Sequence, residues 1–153
     1  LKGYEKVQYH VEDAVSKGAQ VLAGGKPANV GENLSGNFYE PTILAGATDD
    51  MVIMREETFG PVLPIMTFDR EDEVVRMANA TPYGLAAYFF AKDAGRIFRV
   101  AEGLDYGIVG VNDPLPTGPH IPFGGYKESG LGRENGSEGI QEFLETKAIS
   151  IGI

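Results

Sequence analysis

Cysteine is absent from the chain, so it holds no disulfide, no thiolate metal site and no thiol nucleophile of its own. Positive charge is scarce: 13 Lys and Arg stand against 22 Asp and Glu, a formal charge of -9. A nucleic-acid surface needs clustered cations to displace counterions, so that class of partner is excluded, and the acidic excess reads as solubilising surface. Long apolar runs are missing too. Leu85–Ala91 is the longest, well below the roughly 18 residues of a membrane span. The opening residues, Leu1 to Tyr4, lead into a charged amphipathic stretch rather than a signal peptide. Only His10 and His120 supply imidazole, and neither has metal-site spacing around it. The first reads as an exposed helical histidine and the second as a loop-packing one.

What the chain does contain is an ordinary globular composition, 42% apolar and 23% charged over 153 residues, enough for about one domain. Its organising stretch is Asn112–Gly136, with four prolines and six glycines, which excludes a continuous helix or central strand. Leu115, Ile121, Phe123, Tyr126 and Leu131 give this stretch apolar groups to bury, unlike a polar linker, so it reads as an ordered functional loop.

Val7, Val11, Ala14 and Val15 recur at helical spacing before Gly18, predicting a first helix. Gln20–Ala23 reads as a strand, residues 26–37 as a surface loop and Phe38–Leu44 as extended chain leading through Pro41. Val62–Phe68 reads as a strand with Pro64 marking an edge or a bulge, followed by a helix capped by Asp69. Ala86–Ala91 and Gly107–Val111 are apolar strands flanking a helix marked by Ile97, Val100, Ala101 and Leu104. Strand and helix alternating in this way predict an α/β fold with βαβ units and a parallel sheet covered on both faces. Function in such sheets gathers at the carboxyl ends of the strands, where Asn112 opens the long loop. Ile140, Phe143 and Leu144 mark a short helix, and Thr146–Ile153 alternates as a strand that pairs within the chain or with another subunit. Leu1 opens the chain without Met inside a helical pattern, so a piece of a longer protein is expected.

No G-x-S-x-G elbow and no G-x-G-x-x-G phosphate loop is present. Residues 55–62, REETFGPV, read in two ways. Their carboxylates suit a diol and their aromatic ring suits a flat ligand, or they form a solvated charge pair ahead of a strand with Phe59 in the core.

EETFGPV at 56–62, NATPYGLA at 79–86, PFGGYKESGLGRE at 122–134 and ETK at 145–147 together resemble, in order and spacing, the C-terminal third of the aldehyde dehydrogenase superfamily. VNDPLPT and GLGRE are most similar to its succinate-semialdehyde dehydrogenase-like members. The resemblance implies a Rossmann-like catalytic domain in which residues 1–136 form the C-terminal part, with residues 137–153 a short helix and terminal oligomerisation strand. It implies oxidation of an aldehyde, such as succinate semialdehyde, to a carboxylic acid with NAD or NADP through a cysteine thioester. The cysteine, the general-base glutamate, the oxyanion-hole asparagine and most of the dinucleotide-binding domain then lie upstream, so this chain alone is expected to be inactive. By the same resemblance Glu57 matches the carboxylate that binds the nicotinamide ribose, and Phe59 matches the ring beside the nicotinamide. Phe123 matches an aromatic of the aldehyde channel. Thr117 falls where semialdehyde members often place a hydroxyl, usually serine, near the distal carboxylate. Asn112 matches a loop-opening asparagine, a role that competes with plain backbone turn bonding. A cytoplasmic homo-oligomer, dimer or tetramer, is implied, with no nucleic-acid or membrane partner. The alternatives are a free-standing non-catalytic oligomerisation or binding module, and a dehydrogenase of aromatic, aliphatic or betaine-type aldehydes.

Overall fold

The computed structural model describes residues 1–31 and 36–153, so residues 32–35 of the expected 26–37 loop lie outside the described residues. The α/β class holds. Two compact units, Leu1–Phe68 and Asp69–Ile153, replace the single one that length predicts, because each half pairs its own strands.

In the first unit, α1 spans Lys2–Ser16 and buries Val7, His10, Val11 and Ala14. Its buried stripe therefore takes in a histidine and leaves out Val15, which is exposed. The expected exposed His10 is wrong: apolar spacing located the stripe, while the segment packed against it, invisible to that spacing, decided that an imidazole belongs there. After Gly18 the chain turns into β1, Gln20–Ala23, antiparallel to β2, Thr42–Ala45, which runs parallel to β3, Val62–Ile65. β3 lies at the sheet edge, the first of the two placements that Pro64 allows, and stops short of the expected Phe68. The core collects Val11, Ala14, Ala19, Leu44, Ala47, Met51 and Ile53. Residues 52–54, expected only as an apolar approach, close a turn of 3₁₀ helix between Met51 and Arg55.

In the second unit, α2 spans Glu71–Asn79 and β4 spans Tyr83–Gly84. Arg70, not Asp69, occupies the capping position of α2 and makes no side-chain capping bond, while the Glu73 carboxylate accepts from the Asp69 backbone N–H at 3.2 Å. β5, Ala86–Phe89, connects through α3, Ala94–Gly103, to β6, Ile108–Val111, and the two strands are parallel, the expected βαβ unit. Here the capping side chain is the Asp93 carboxylate, which accepts from the Arg96 N–H at 2.7 Å. β7, Tyr126–Lys127, pairs antiparallel with β4. The parallel sheet is thus realised as short parallel pairs, β2–β3 and β5–β6, each in its own sheet.

A 3₁₀ helix, Gly139–Phe143, stands where the last helix was expected. Beyond it residues 144–153 are exposed and pair with no strand among the described residues, so the terminal strand does not form within this chain. No helix among the described residues is long and apolar enough to cross a membrane.

Candidate functional site

One face of α1 grips the segment that carries Glu57 and Phe59. At the far end of the helix, Lys17 Nζ donates to the Asp50 carbonyl at 2.7 Å. One turn back, the Asp13 carboxylate accepts from the Val52 backbone N–H at 2.8 Å, which satisfies an amide at the start of the 3₁₀ turn. That N–H, followed by the Lys17 ammonium, holds the Asp13 carboxyl below the usual carboxylate range. His10 is fully buried, with Nδ1 2.9 Å from Thr58 Oγ1 and Nε2 3.6 Å from Glu56 Oε2. At the near end Val7 packs so closely on Gly60 that a β-carbon there would collide with its methyl group, which explains why a glycine follows the turn. Positions 7, 10, 13 and 17 are spaced by three or four, so their side chains share one helix face.

Glu57 is exposed on this turn. Phe59 adopts a left-handed backbone, φ 48°, and leaves 90% of its surface in solvent. The reading in which Phe59 packs in the core is therefore excluded. A residue with a Cβ pays for that conformation by about 1–2 kcal/mol, asparagine and aspartate least, and here the outcome is an exposed ring two residues after an exposed glutamate.

The long loop of the second unit folds back on itself. Phe123 and Glu134 exchange two backbone hydrogen bonds of 2.7 Å, and the Gly136 N–H donates to the Pro119 carbonyl at 3.0 Å. Arg133 Nη1 donates to the carbonyls of Gly125 and Gly132 at 3.1 and 2.6 Å. The Ser129 hydroxyl accepts from the Gly84 N–H at 2.9 Å, stitching the loop to β4. Gly107, ahead of β6, admits the Gly124 carbonyl into the space a side chain would fill. At the loop mouth, Asn112 (φ 54°) bonds through its side-chain amide to both backbone groups of Ala91. These bonds reach a residue 21 positions away rather than the local backbone, so the expected turn bonding is replaced by a cross-strand pair where the loop opens. Thr117 is exposed, with its N–H bonded to the Leu115 carbonyl at 2.8 Å. Phe123 is half-buried and lines a cavity of about 600 Å³ together with Leu131, Arg133, Ile140 and Phe143. Thr117 does not line it.

Residues 2–149 match the aldehyde dehydrogenase family along nearly the whole chain. The chain belongs to the aldehyde dehydrogenase family. Mitochondrial succinate-semialdehyde dehydrogenase of Rattus norvegicus is 52% identical over 151 residues, covering 99% of this chain and 28% of the rat protein. Glutarate-semialdehyde dehydrogenase of Pseudomonas putida is 51% identical over 152 residues, covering 99% of this chain and 30% of that protein. The crystal structure of an NADP dependent enzyme of E. coli superposes with a TM-score of 0.93 at 47% identity, over 99% of this chain and 31% of that one. The chain therefore spans less than a third of the length of these relatives.

Within that family frame, Glu57 and Phe59 stand together on one turn of the first unit, while Thr117 and Phe123 occupy one loop of the second. The aldehyde dehydrogenase motifs marked these residues but not what holds them. Val7, His10, Asp13 and Lys17 carry no motif, and only their common helical spacing, once paired with residues 50–60, could have pointed to them.

Proposed function

We propose that this chain supplies cofactor-facing and substrate-facing walls to an NAD- or NADP-dependent aldehyde dehydrogenase that oxidises a semialdehyde, such as succinate semialdehyde, to the carboxylic acid. The reaction proceeds through a thioester on a cysteine outside this chain, which holds none. Phe59 carries the reading. Other aromatic rings of the chain are exposed, but this one is presented by a left-handed backbone two residues after the exposed Glu57. That pair fits a nicotinamide nucleoside: the carboxylate can accept two hydrogen bonds from a ribose diol, and the ring offers a rigid apolar face. The cofactor, when bound, supplies the hydride acceptor. Glu57 then orients the ribose, and Phe59 excludes water from the ring beside it.

Phe123 lines the aldehyde channel in this proposal, and the Thr117 hydroxyl meets the substrate's distal carboxylate. The two semialdehyde dehydrogenases named above, at about half identity, support an acidic substrate. Residues 1–136 belong to the catalytic domain. Residues 137–153 serve oligomerisation, with the exposed Ile149, Ile151 and Ile153 adding as a strand to another subunit. A cytoplasmic setting completes the proposal.

The test is to assay the full-length enzyme for reduced nicotinamide with succinate semialdehyde, glutarate semialdehyde and neutral aldehydes of matched length, with NAD and with NADP. Preference for the acidic substrates supports the reading. Turnover confined to neutral or aromatic aldehydes overturns the substrate class, and no reduction with any aldehyde overturns the enzyme.

A further inference from the structure

Burying an imidazole in an apolar helix face is unfavourable unless its nitrogens find partners. His10 interrupts the stripe Val7, Val11 and Ala14, is fully buried, and directs both nitrogens at residues 56–58. Its Nε2 has no hydrogen-bond partner among the described residues, and the nearest counter-group is the Glu56 carboxylate at 3.6 Å.

We propose that His10 is a positioning residue for the Glu57–Phe59 turn, tethering Thr58 through Nδ1 and facing Glu56 with Nε2. The inference rests on the reading of Glu57 and Phe59 as cofactor contacts.

The geometry selects a tautomer. With the proton on Nδ1, the Nε2 lone pair would confront a carboxylate oxygen, placing two acceptors face to face. With the proton on Nε2, Nδ1 accepts from the Thr58 hydroxyl at 2.9 Å, and the Nε2 N–H faces the Glu56 carboxylate across 3.6 Å, an attractive approach longer than a hydrogen bond. Glu57 lies between the two residues so addressed, and neighbouring Cα atoms are only about 3.8 Å apart, so the peptide planes on either side of Glu57 inherit their orientation. The next residue is Phe59, whose left-handed φ needs neighbours that hold it, and Val7 against Gly60 closes the far side. His10 thus acts on the cofactor only through other residues.

The experiment compares His10→Leu, His10→Asn and Thr58→Val with Glu57→Gln and Phe59→Ala in the full-length enzyme. Readouts are kcat, KM for each substrate, direct binding of NADH and NADPH by fluorescence, and thermal unfolding. The expected result for His10→Leu is a cofactor KM about tenfold higher with the aldehyde KM held, since weakening one hydrogen bond between Glu57 and the cofactor is worth about that factor. Thr58→Val should do the same, the double variant should be no worse than either single one, and His10→Asn, which keeps an acceptor near Nδ1, should recover most of the loss. If His10→Leu does not fold, Thr58→Val decides. A folded His10→Leu or Thr58→Val with unchanged cofactor KM and binding, while Glu57→Gln and Phe59→Ala weaken them, overturns the positioning role alone. Unchanged binding in Glu57→Gln and Phe59→Ala together overturns the cofactor reading and this inference with it.

Discussion

Asn112 completes the β5–β6 ladder with its side chain: Nδ2 donates to the Ala91 carbonyl at 2.8 Å, and Oδ1 accepts from the Ala91 N–H at 2.9 Å. A side-chain amide here does what a further strand residue would do, while the left-handed backbone, φ 54°, sends the chain off into the long loop. Asn112→Leu loses both bonds and strains that conformation, and should lower the unfolding free energy by about 1–3 kcal/mol in urea titration. Asn112→Gly keeps the conformation and loses the bonds, and should cost less. Equal stability of both variants and the parent would show that water replaces the amide without loss.

For the cofactor turn, Glu57→Gln in the full-length enzyme should reduce kcat by roughly one to two orders of magnitude at saturating cofactor, because a nicotinamide displaced by about 1 Å reacts far more slowly. The residue is exposed, so the variant should unfold at the parent's temperature. Unchanged turnover removes the role assigned to Glu57.

Thr117→Val keeps the methyl and replaces the hydroxyl with a second methyl of similar size. The kcat/KM for an acidic semialdehyde should fall about tenfold or more, with a neutral aldehyde of equal length little affected, since loss of one bond to a charged group is worth about 1.5–3 kcal/mol. Equal losses on both substrates would show that the side chain shapes the channel rather than reading a carboxylate.

Acid stability has a visible contributor. Glu71, at the start of α2, accepts from Arg99 Nε and Arg96 Nε of α3, each at 2.9 Å. The Arg99 hydrogen bond first, then that from Arg96, pulls the Glu71 carboxyl below the ordinary glutamate range. A carboxyl depressed in the folded state stabilises it fully above the unfolded glutamate value, about 4.3, and loses that contribution as pH falls through the folded value. Glu71→Gln should therefore melt lower than the parent at neutral pH and show a smaller drop on acidification. Parallel melting curves across that range would deny the α2–α3 link any role.

Sequence patterning located the elements well where one periodicity governed them. α1, β5, α3 and β6 follow from apolar spacing, because burial of one stripe or one run decides them. Asp69 misled because three acidic residues follow within the first turn of α2, and which carboxylate meets which N–H is a matter of geometry rather than order. The tail misled for a different reason: alternation of Ile149, Ile151 and Ile153 specifies a face, and a face does not name the sheet it joins. At the site, Glu57 and Phe59 were legible as chemistry, whereas the burial of His10 depended on contacts 46 and 48 residues away along the chain, beyond any local pattern.

The face of α1 that grips residues 50–60 also bears on how such an enzyme can vary. The proposed function assigns no cofactor or substrate contact to that helix, yet Val7, His10, Asp13 and Lys17 share a common fate with the turn they hold. A mutant library drawn around the nicotinamide alone would leave these positions out, and an exchange of Glu57 or Phe59 between paralogues without the matching helix would transplant side chains without their mounting.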